Sequence, residues 1–341
     1  MKRITALLIT FLLLVGCGQT DITPVQETPE ATAQAGQEVV QEPISEPLRV
    51  VTTIFPPFDF VRQIAGDSVE LIMLISPGAE SHSFEPTPRD MITLYNADLF
   101  IYVGGHSDTW VHPILESLER ADMRTVALLG LVEALWEDHH DHDHDHDHDH
   151  DHDHDHDHDH DHHHEPHYDE HVWTCPRNAI RIVTAITEIL AEMDPYNAEY
   201  FRQNSTAFIA ELQELDRAFA EVVANGVRTT VIFGDRFPFR YLMDTYGLTA
   251  YAAFDGCSAA TQASPATIAY LINKVRDEQI PVVFYIEFSH RFIADTIAEE
   301  TGARLLELHS VHNVSSADFA AGVGYLDLMR RNVEALREAL S

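Results

Sequence analysis

Arg49-Val50-Val51-Thr52-Thr53-Ile54, then Phe58-Asp59-Phe60-Val61-Arg62-Gln63-Ile64-Ala65, then Val69-Glu70-Leu71-Ile72-Met73-Leu74-Ile75 follow one another with short breaks. The first and third are apolar runs of strand length rich in β-branched residues, and the second carries its apolar residues at helical spacing. The pattern repeats with a helix over 87–96, a strand over 99–103 and a helix over 111–120. Strand and helix in turn predict a parallel sheet covered on both faces.

The alternation stops at Asp138 and restarts after Asn225-Gly226. From there the pattern predicts strands over 229–233, 282–286 and 304–308. The helices expected with them cover 239–246, 265–279 and 292–301, with a closing helix over 319–340. Between the two series, Ile180, Val183, Ile186, Ile189 and Leu190 have helical spacing. Asp194-Pro195 then offers an N-cap and a first-turn proline for a helix to about residue 223. At 1.5 Å per residue that helix would be roughly 43 Å long, more than one domain needs, so it could serve as a rigid spine. About 290 residues from Leu48 onward exceed what one core usually organises. The expectation is an α/β protein of two Rossmann-like lobes, 48–175 and 226–341, with the helices of 176–225 as the interdomain spine.

Lys2, Arg3, an apolar run over 4–15 and Leu14-Val15-Gly16-Cys17 have the layout of a secretory signal peptide, 1–17, ending in a lipobox. The run is too short to span a bilayer as a mature helix, so membrane attachment is expected through lipid on Cys17. Residues 18–47, rich in Gln, Glu, Thr, Pro and Ala, cannot bury enough surface to fold and read as a disordered tether. The formal charge of −35 would repel nucleic acid and anionic membrane surfaces, and makes a cation the natural guest. Twelve of those charges are Asp residues within 138–161. Once Cys17 is lipidated, Cys175 and Cys257 remain, either as a disulfide or as two independent thiols, or with Cys257 as a metal ligand.

In open α/β sheets ligands bind beyond the carboxyl ends of the strands. His82, His106, Asp235, Glu287, His290, His309 and His312 all follow predicted strands. With His171 they supply neutral imidazoles and carboxylates from both halves of the chain, the donor set suited to Zn2+ or Mn2+. A loop histidine is more often solvated than ligating, which is the reading for His106 and His112, and Asp235 could merely cap a helix. The tract over 138–164, including His139, His140, His142, His144, His162, His163 and His164, alternates imidazole and carboxylate. It reads as a solvated insertion that binds divalent ions weakly and raises zinc concentration near the cleft. No His-Glu-x-x-His or Gly-x-Ser-x-Gly pattern supports a zinc hydrolase.

Pro77-Gly78-Ala79-Glu80-Ser81-His82-Ser83-Phe84-Glu85-Pro86-Thr87-Pro88-Arg89-Asp90 resembles the first metal-ligand motif of the zinc and manganese solute-binding proteins of ABC importers. Asp169-Glu170-His171-Val172-Trp173-Thr174-Cys175-Pro176 resembles their second, and a His/Asp-rich loop just ahead of it resembles the zinc branch. The resemblance runs from about Leu48 to Leu340. It implies two lobes joined by a long stiff helix with metal in the cleft between them, His82 and His171 as the first two ligands, and a monomer working with a permease and an ATPase. The third ligand position falls at Gly234-Asp235-Arg236. Asp235 is the acceptable ligand there, although Arg236 fits the register equally, and the fourth position of the manganese members falls near Val323. His309 or His312 is then expected to complete the site, a His-rich set that favours Zn2+ over Mn2+. A metal-storage protein or an adhesin on the cell surface is the alternative role.

Overall fold

Val50, Val51, Leu99, Phe100 and Ile101 are fully buried, as continuous apolar strands must be when helices cover both faces of a sheet. They belong to β1 (Leu48–Thr52) and β3 (Leu99–Tyr102), the central pair of a parallel sheet whose edges are β2 (Val69–Met73) and β4 (Arg124–Ala127). The order is β2-β1-β3-β4, with Val50 opposite both Leu71 and Leu99. A second parallel sheet repeats this order with β5 (Thr230–Phe233), β6 (Thr249–Ala252), β7 (Val282–Tyr285) and β8 (Arg304–Glu307), arranged β6-β5-β7-β8. The chain leaves β1 and β3, and likewise β5 and β7, toward opposite sides, so each sheet has a crevice at the carboxyl end of its central pair.

These are the elements of a computed structural model that describes residues 46–80, 84–136, 167–254 and 263–341. The leader with Cys17, residues 18–45 of the tether, His82, Cys257 and the tract with His139, His140, His142, His144, His162, His163 and His164 lie outside the described residues. No helix among the described residues is long and apolar enough to cross a membrane.

The helices are α1 (Phe55–Ala65), α2 (Pro88–Tyr95), α3 (Val111–Leu118), α4 (Pro176–Met193), α5 (Ala198–Asn225), α6 (Arg240–Tyr246), α7 (Pro265–Asp277), α8 (Phe292–Thr301), α9 (Ser316–Ala320) and α10 (Tyr325–Leu340). The spine is α5, 28 residues and so about 42 Å long. Its buried residues Phe201, Ser205, Phe208, Leu212, Leu215, Phe219 and Val222 recur at steps of three and four, one stripe along the whole helix. Near its start, Phe208 meets Phe60 of α1 with ring centroids 6.1 Å apart, and Asn204 donates to the Ile64 carbonyl at 3.0 Å. Near its end, Phe219 stacks on Tyr246 of α6 at 5.6 Å, and the Tyr246 hydroxyl donates to Asp216 at 2.7 Å. One helix is thereby packed against both lobes, and a single apolar cluster runs from Val50 in the first sheet to Phe284 in the second. Each fully buried Phe or Leu in that cluster is worth roughly 1.5–3 kcal/mol, so the two sheets are strongly coupled through it.

Two expectations about helix ends are corrected. Asp194 does not cap α5; it closes α4, and its carboxylate accepts from the Asn197 backbone N–H at 3.3 Å and from the Asn197 side chain at 2.6 Å. Asp194 thus caps a turn between the helices, and α5 starts three residues after Pro195. The closing helix is two helices. Gly322 has φ +76°, and Gly324 is extended with its Cα so near Asp59 that a Cβ would lie 3.1 Å from the carboxylate. The Gly322 conformation favours glycine, the close approach at Gly324 leaves little room for a side chain, and helical hydrogen bonding ends between α9 and α10. The break lets the Tyr325 N–H, at the start of α10, donate to the fully buried Asp59 at 2.6 Å.

Candidate metal centre

The loop after β8, Leu308-His309-Ser310-Val311-His312-Asn313, is buried throughout. Val311 has φ +61°, a left-handed conformation that costs a β-branched residue about 1–2 kcal/mol. Its neighbours hold it there. The Val311 N–H donates to His309 Nδ1 at 2.9 Å, and Asn332 of α10 brackets His309, accepting from its N–H at 2.8 Å and donating to its carbonyl at 2.7 Å. Glu287, just past β7, accepts from the Ser310 N–H at 2.6 Å and from the Ser310 hydroxyl. Strain that surroundings over-determine in this way is typical of functional loops. Its geometric result is that His309 and His312 face different partners.

His312 faces His171, with ring centroids 5.6 Å apart and planes at 86°. Beside the pair lies the indole of Trp173, 5.4 Å from His171 and 5.0 Å from His312, whose Nε1–H donates to the Ser310 carbonyl at 2.9 Å. His171 is 1% exposed, and its Nδ1 lies 3.1 Å from Asp169 Oδ1, which also accepts the His171 backbone N–H at 2.8 Å. A carboxylate at Nδ1 fixes the Nδ1–H tautomer and leaves Nε2 with its lone pair. The Asp169 carbonyl accepts from the Tyr241 hydroxyl of α6 at 2.7 Å, and that hydroxyl accepts from the Leu135 N–H at 3.1 Å. Burial pushes the Tyr241 phenol up to about 12.

The first motif reaches the same place from the other sheet. Asn313, next to His312, donates to the Ser76 carbonyl at 2.9 Å and to the Ala79 carbonyl at 2.8 Å. The Gly78 N–H donates to the Val314 carbonyl at 2.8 Å, and the Ser316 hydroxyl to the Pro77 carbonyl at 2.9 Å. The chain entering residues 81–83 is therefore stitched to the segment that follows His312. On the far side of His82, Thr87 and Asp90 form a reciprocal capping box that starts α2.

The remaining sequence candidates are placed elsewhere or otherwise engaged. Both oxygens of Asp235 take backbone amides, from Arg236 at 2.8 Å and from Ile286 at 3.2 Å, so it ties the ends of β5 and β7 together. Arg236 lies 3.7 Å from Glu80. His309 spends its Nδ1 lone pair on the Val311 N–H, which assigns its proton to Nε2. His112 is exposed and pairs with Glu116 at 3.2 Å. His290, Arg291 and Arg236 line a cavity of about 710 Å³ together with Glu80, Asp235 and Glu287. Among the described residues no group of three or more His, Cys, Asp or Glu side chains is arranged to hold a metal ion. Cys175 is a buried free thiol with Thr245 Oγ1 at 3.2 Å. Val311, Asn332 and Glu287 as supports of the His312 loop were not foreseen as such; only the position of Glu287 after a strand signalled it.

The family described as "Zinc-uptake complex component A periplasmic" matches residues 50–339. The high-affinity zinc uptake system protein ZnuA of Bacillus subtilis is 32% identical over 293 residues, 86% of this chain and 88% of that protein. The zinc-binding lipoprotein AdcA of Streptococcus pneumoniae is 30% identical over 294 residues, and the chain spans only 55% of its length. In structure, the Zn(II)-bound ZnuA-like domain of that AdcA superposes with a TM-score of 0.69 at 27% identity, over 86% of this chain and 99% of the domain. The metal-dependent lipoprotein YcdH of Bacillus subtilis gives 0.70 at 28%, over 86% of this chain and the whole of that one.

Proposed function

Because the chain belongs to the family of periplasmic zinc-uptake components over residues 50–339, we propose that it captures Zn2+ outside the cytoplasmic membrane and passes it to the permease and ATPase of an ABC importer, anchored through a lipidated Cys17. It does so as a monomeric carrier and performs no chemistry on its cargo. The observation that carries this reading is the buried pair His171 and His312 at 5.6 Å. Zinc bonds imidazole nitrogen at about 2.0–2.1 Å, which puts it about 3.2 Å from each ring centre, and a tetrahedral angle then separates the centres by about 5.2 Å. The observed spacing is close to that value.

His82 is the third ligand in this proposal, because the strand end and loop that lead to it are bonded to Asn313 and Val314, beside His312. His309 and Asp235 are left out, the one because its free nitrogen carries a proton, the other because its oxygens are engaged. Three imidazole ligands favour zinc over manganese. Asp169 at His171 Nδ1 would both orient the ring and make it a stronger donor. Equilibrium titration of the mature protein with zinc in competition with a chelator tests the assignment: replacing His82, His171 or His312 by alanine should each weaken the tight site at least tenfold. Full affinity retained in all three variants would overturn it.

A further inference from the structure

The two ends of the Asp-His tract return to one point. Trp136 and Tyr168 form an isolated antiparallel bridge with stacked rings 4.0 Å apart, and the Asp169 N–H donates to the Leu135 carbonyl at 2.9 Å. Whatever the tract binds is therefore tethered to a fixed root. The first described residue on the return is His167, and its ring lies 5.6 Å from that of His106, at 44°. Both histidines are exposed. Their spacing equals that of the buried pair and lies close to the roughly 5.2 Å expected for two imidazoles on one tetrahedral zinc.

The contact is built into the backbone on both sides. His106 follows β3 on a single tight turn, which Asp108 closes by accepting from the Val103 and Gly104 N–H groups at 2.6 and 3.1 Å. Glu170, three residues after His167, reaches across to this turn and accepts from the Ser107 N–H at 3.0 Å and from the Ser107 hydroxyl. Gly105 lets the two segments touch, since a Cβ there would lie 2.6 Å from the Cβ of Glu170. Two surface histidines on independent loops would drift apart. These two are held by the buried Glu170 that joins their loops.

We propose that His106 and His167 form a second, solvent-exposed zinc site at the root of the tract, through which zinc passes to the buried pair. The proposal rests on the reading of His171 and His312 given above. Two protein ligands leave the other coordination positions to water, and such an open site exchanges ligands where a closed one retains them. His167 precedes His171 by four residues, so metal released from the exposed pair is already beside the second motif.

Two measurements on the full chain test this. In crystals grown with excess zinc, anomalous scattering at the zinc edge should give one peak at His171 and another between His106 and His167. Zinc at His171 with none at the exposed pair overturns the second site. Zinc at the exposed pair with none at His171 keeps the second site and overturns the reading of the cleft. Trp173, beside the two buried rings, reports arrival at the cleft by stopped-flow fluorescence. His106→Ala and His167→Ala should each slow that arrival at least threefold and leave the final amplitude and cleft affinity within twofold of the parent. Unchanged loading rates overturn the passage of zinc through this pair.

Discussion

Replacing His312 and His309 by alanine, one at a time, should separate metal binding from folding in two residues that the sequence leaves equivalent. His309 accepts the Val311 N–H through Nδ1, and Val311 sits at φ +61°. Removing that imidazole leaves a buried amide without a partner, at a cost of about 1–3 kcal/mol, and slackens the restraint on an unfavourable backbone conformation. His309→Ala should therefore lower the stability of the zinc-free protein by that amount. His312 offers its ring to His171 and the Trp173 indole, and its own backbone N–H bonds to the Ser310 hydroxyl at 3.2 Å, which alanine preserves. His312→Ala should cost the zinc-free protein less, and reduce zinc affinity at least tenfold. At free zinc of 100 times the parent dissociation constant, ligand binding adds about 2.7 kcal/mol to stability, and a tenfold loss of affinity removes about 1.4 kcal/mol of it. Urea unfolding with a chelator and again at fixed free zinc measures both quantities. If His309→Ala abolishes the zinc-dependent increment while His312→Ala leaves it intact, the tautomer argument and the ligand assignment drawn from it are wrong.

Tyr241→Phe should destabilise the protein by about 1–3 kcal/mol near neutrality, because the Asp169 carbonyl and the Leu135 N–H both lose a partner. The phenol titrates near 10 when unfolded and about 12 when folded, so the unfolded chain loses its proton first; the advantage of Tyr over Phe is complete below pH 10 and falls away as pH rises toward 12, as urea midpoints of the two proteins across that range would register. Trp173→Phe should abolish most of the fluorescence change on zinc addition while Trp110 and Trp136 remain as background, and a preserved signal would mean that the indole does not flank the metal. Gly322→Ala should cost about 1–2 kcal/mol through its positive φ alone, since no atom lies within 4 Å of the added Cβ; a thermal midpoint equal to the parent's would show that the α9–α10 break tolerates other conformations.

The alternation of apolar runs made the α/β class and the two sheets legible, because parallel strands buried on both faces leave a contiguous signature that chain neighbours alone carry. The strands β4 and β6 left none. Arg124-Thr125-Val126-Ala127 and Thr249-Ala250-Tyr251-Ala252 are four-residue edge strands with mixed exposure, and they form because β3 and β5 present a free edge rather than because of their own composition. The break between α9 and α10 was legible in principle in Gly322-Val323-Gly324. Apolar spacing on either side outweighed it, and only the contact with Asp59 shows why the second glycine is extended.

The candidate site divides along the same line. His171 could be singled out locally, since Asp169 two residues earlier both caps its backbone and orients its ring. His309 and His312 could not be told apart by sequence, because the difference is made by Glu287 and Asn332, each 23 residues from the loop residue it bonds. Asp235 shows why a place after a strand does not by itself assign a ligand. A carboxylate directly after a strand in an open sheet is well placed for a ligand, yet the same position lies beside the next strand's terminal amides. A buried carboxylate is stabilised by whichever donors are fixed nearest to it. Here the Ile286 N–H, 51 residues away in sequence, is in hand, so Asp235 fastens the sheet. On the proposed reading the cleft holds its cation mainly through imidazole, and most of the acidic residues lie outside it, twelve of them in the tract at whose root the exposed pair His106 and His167 lies.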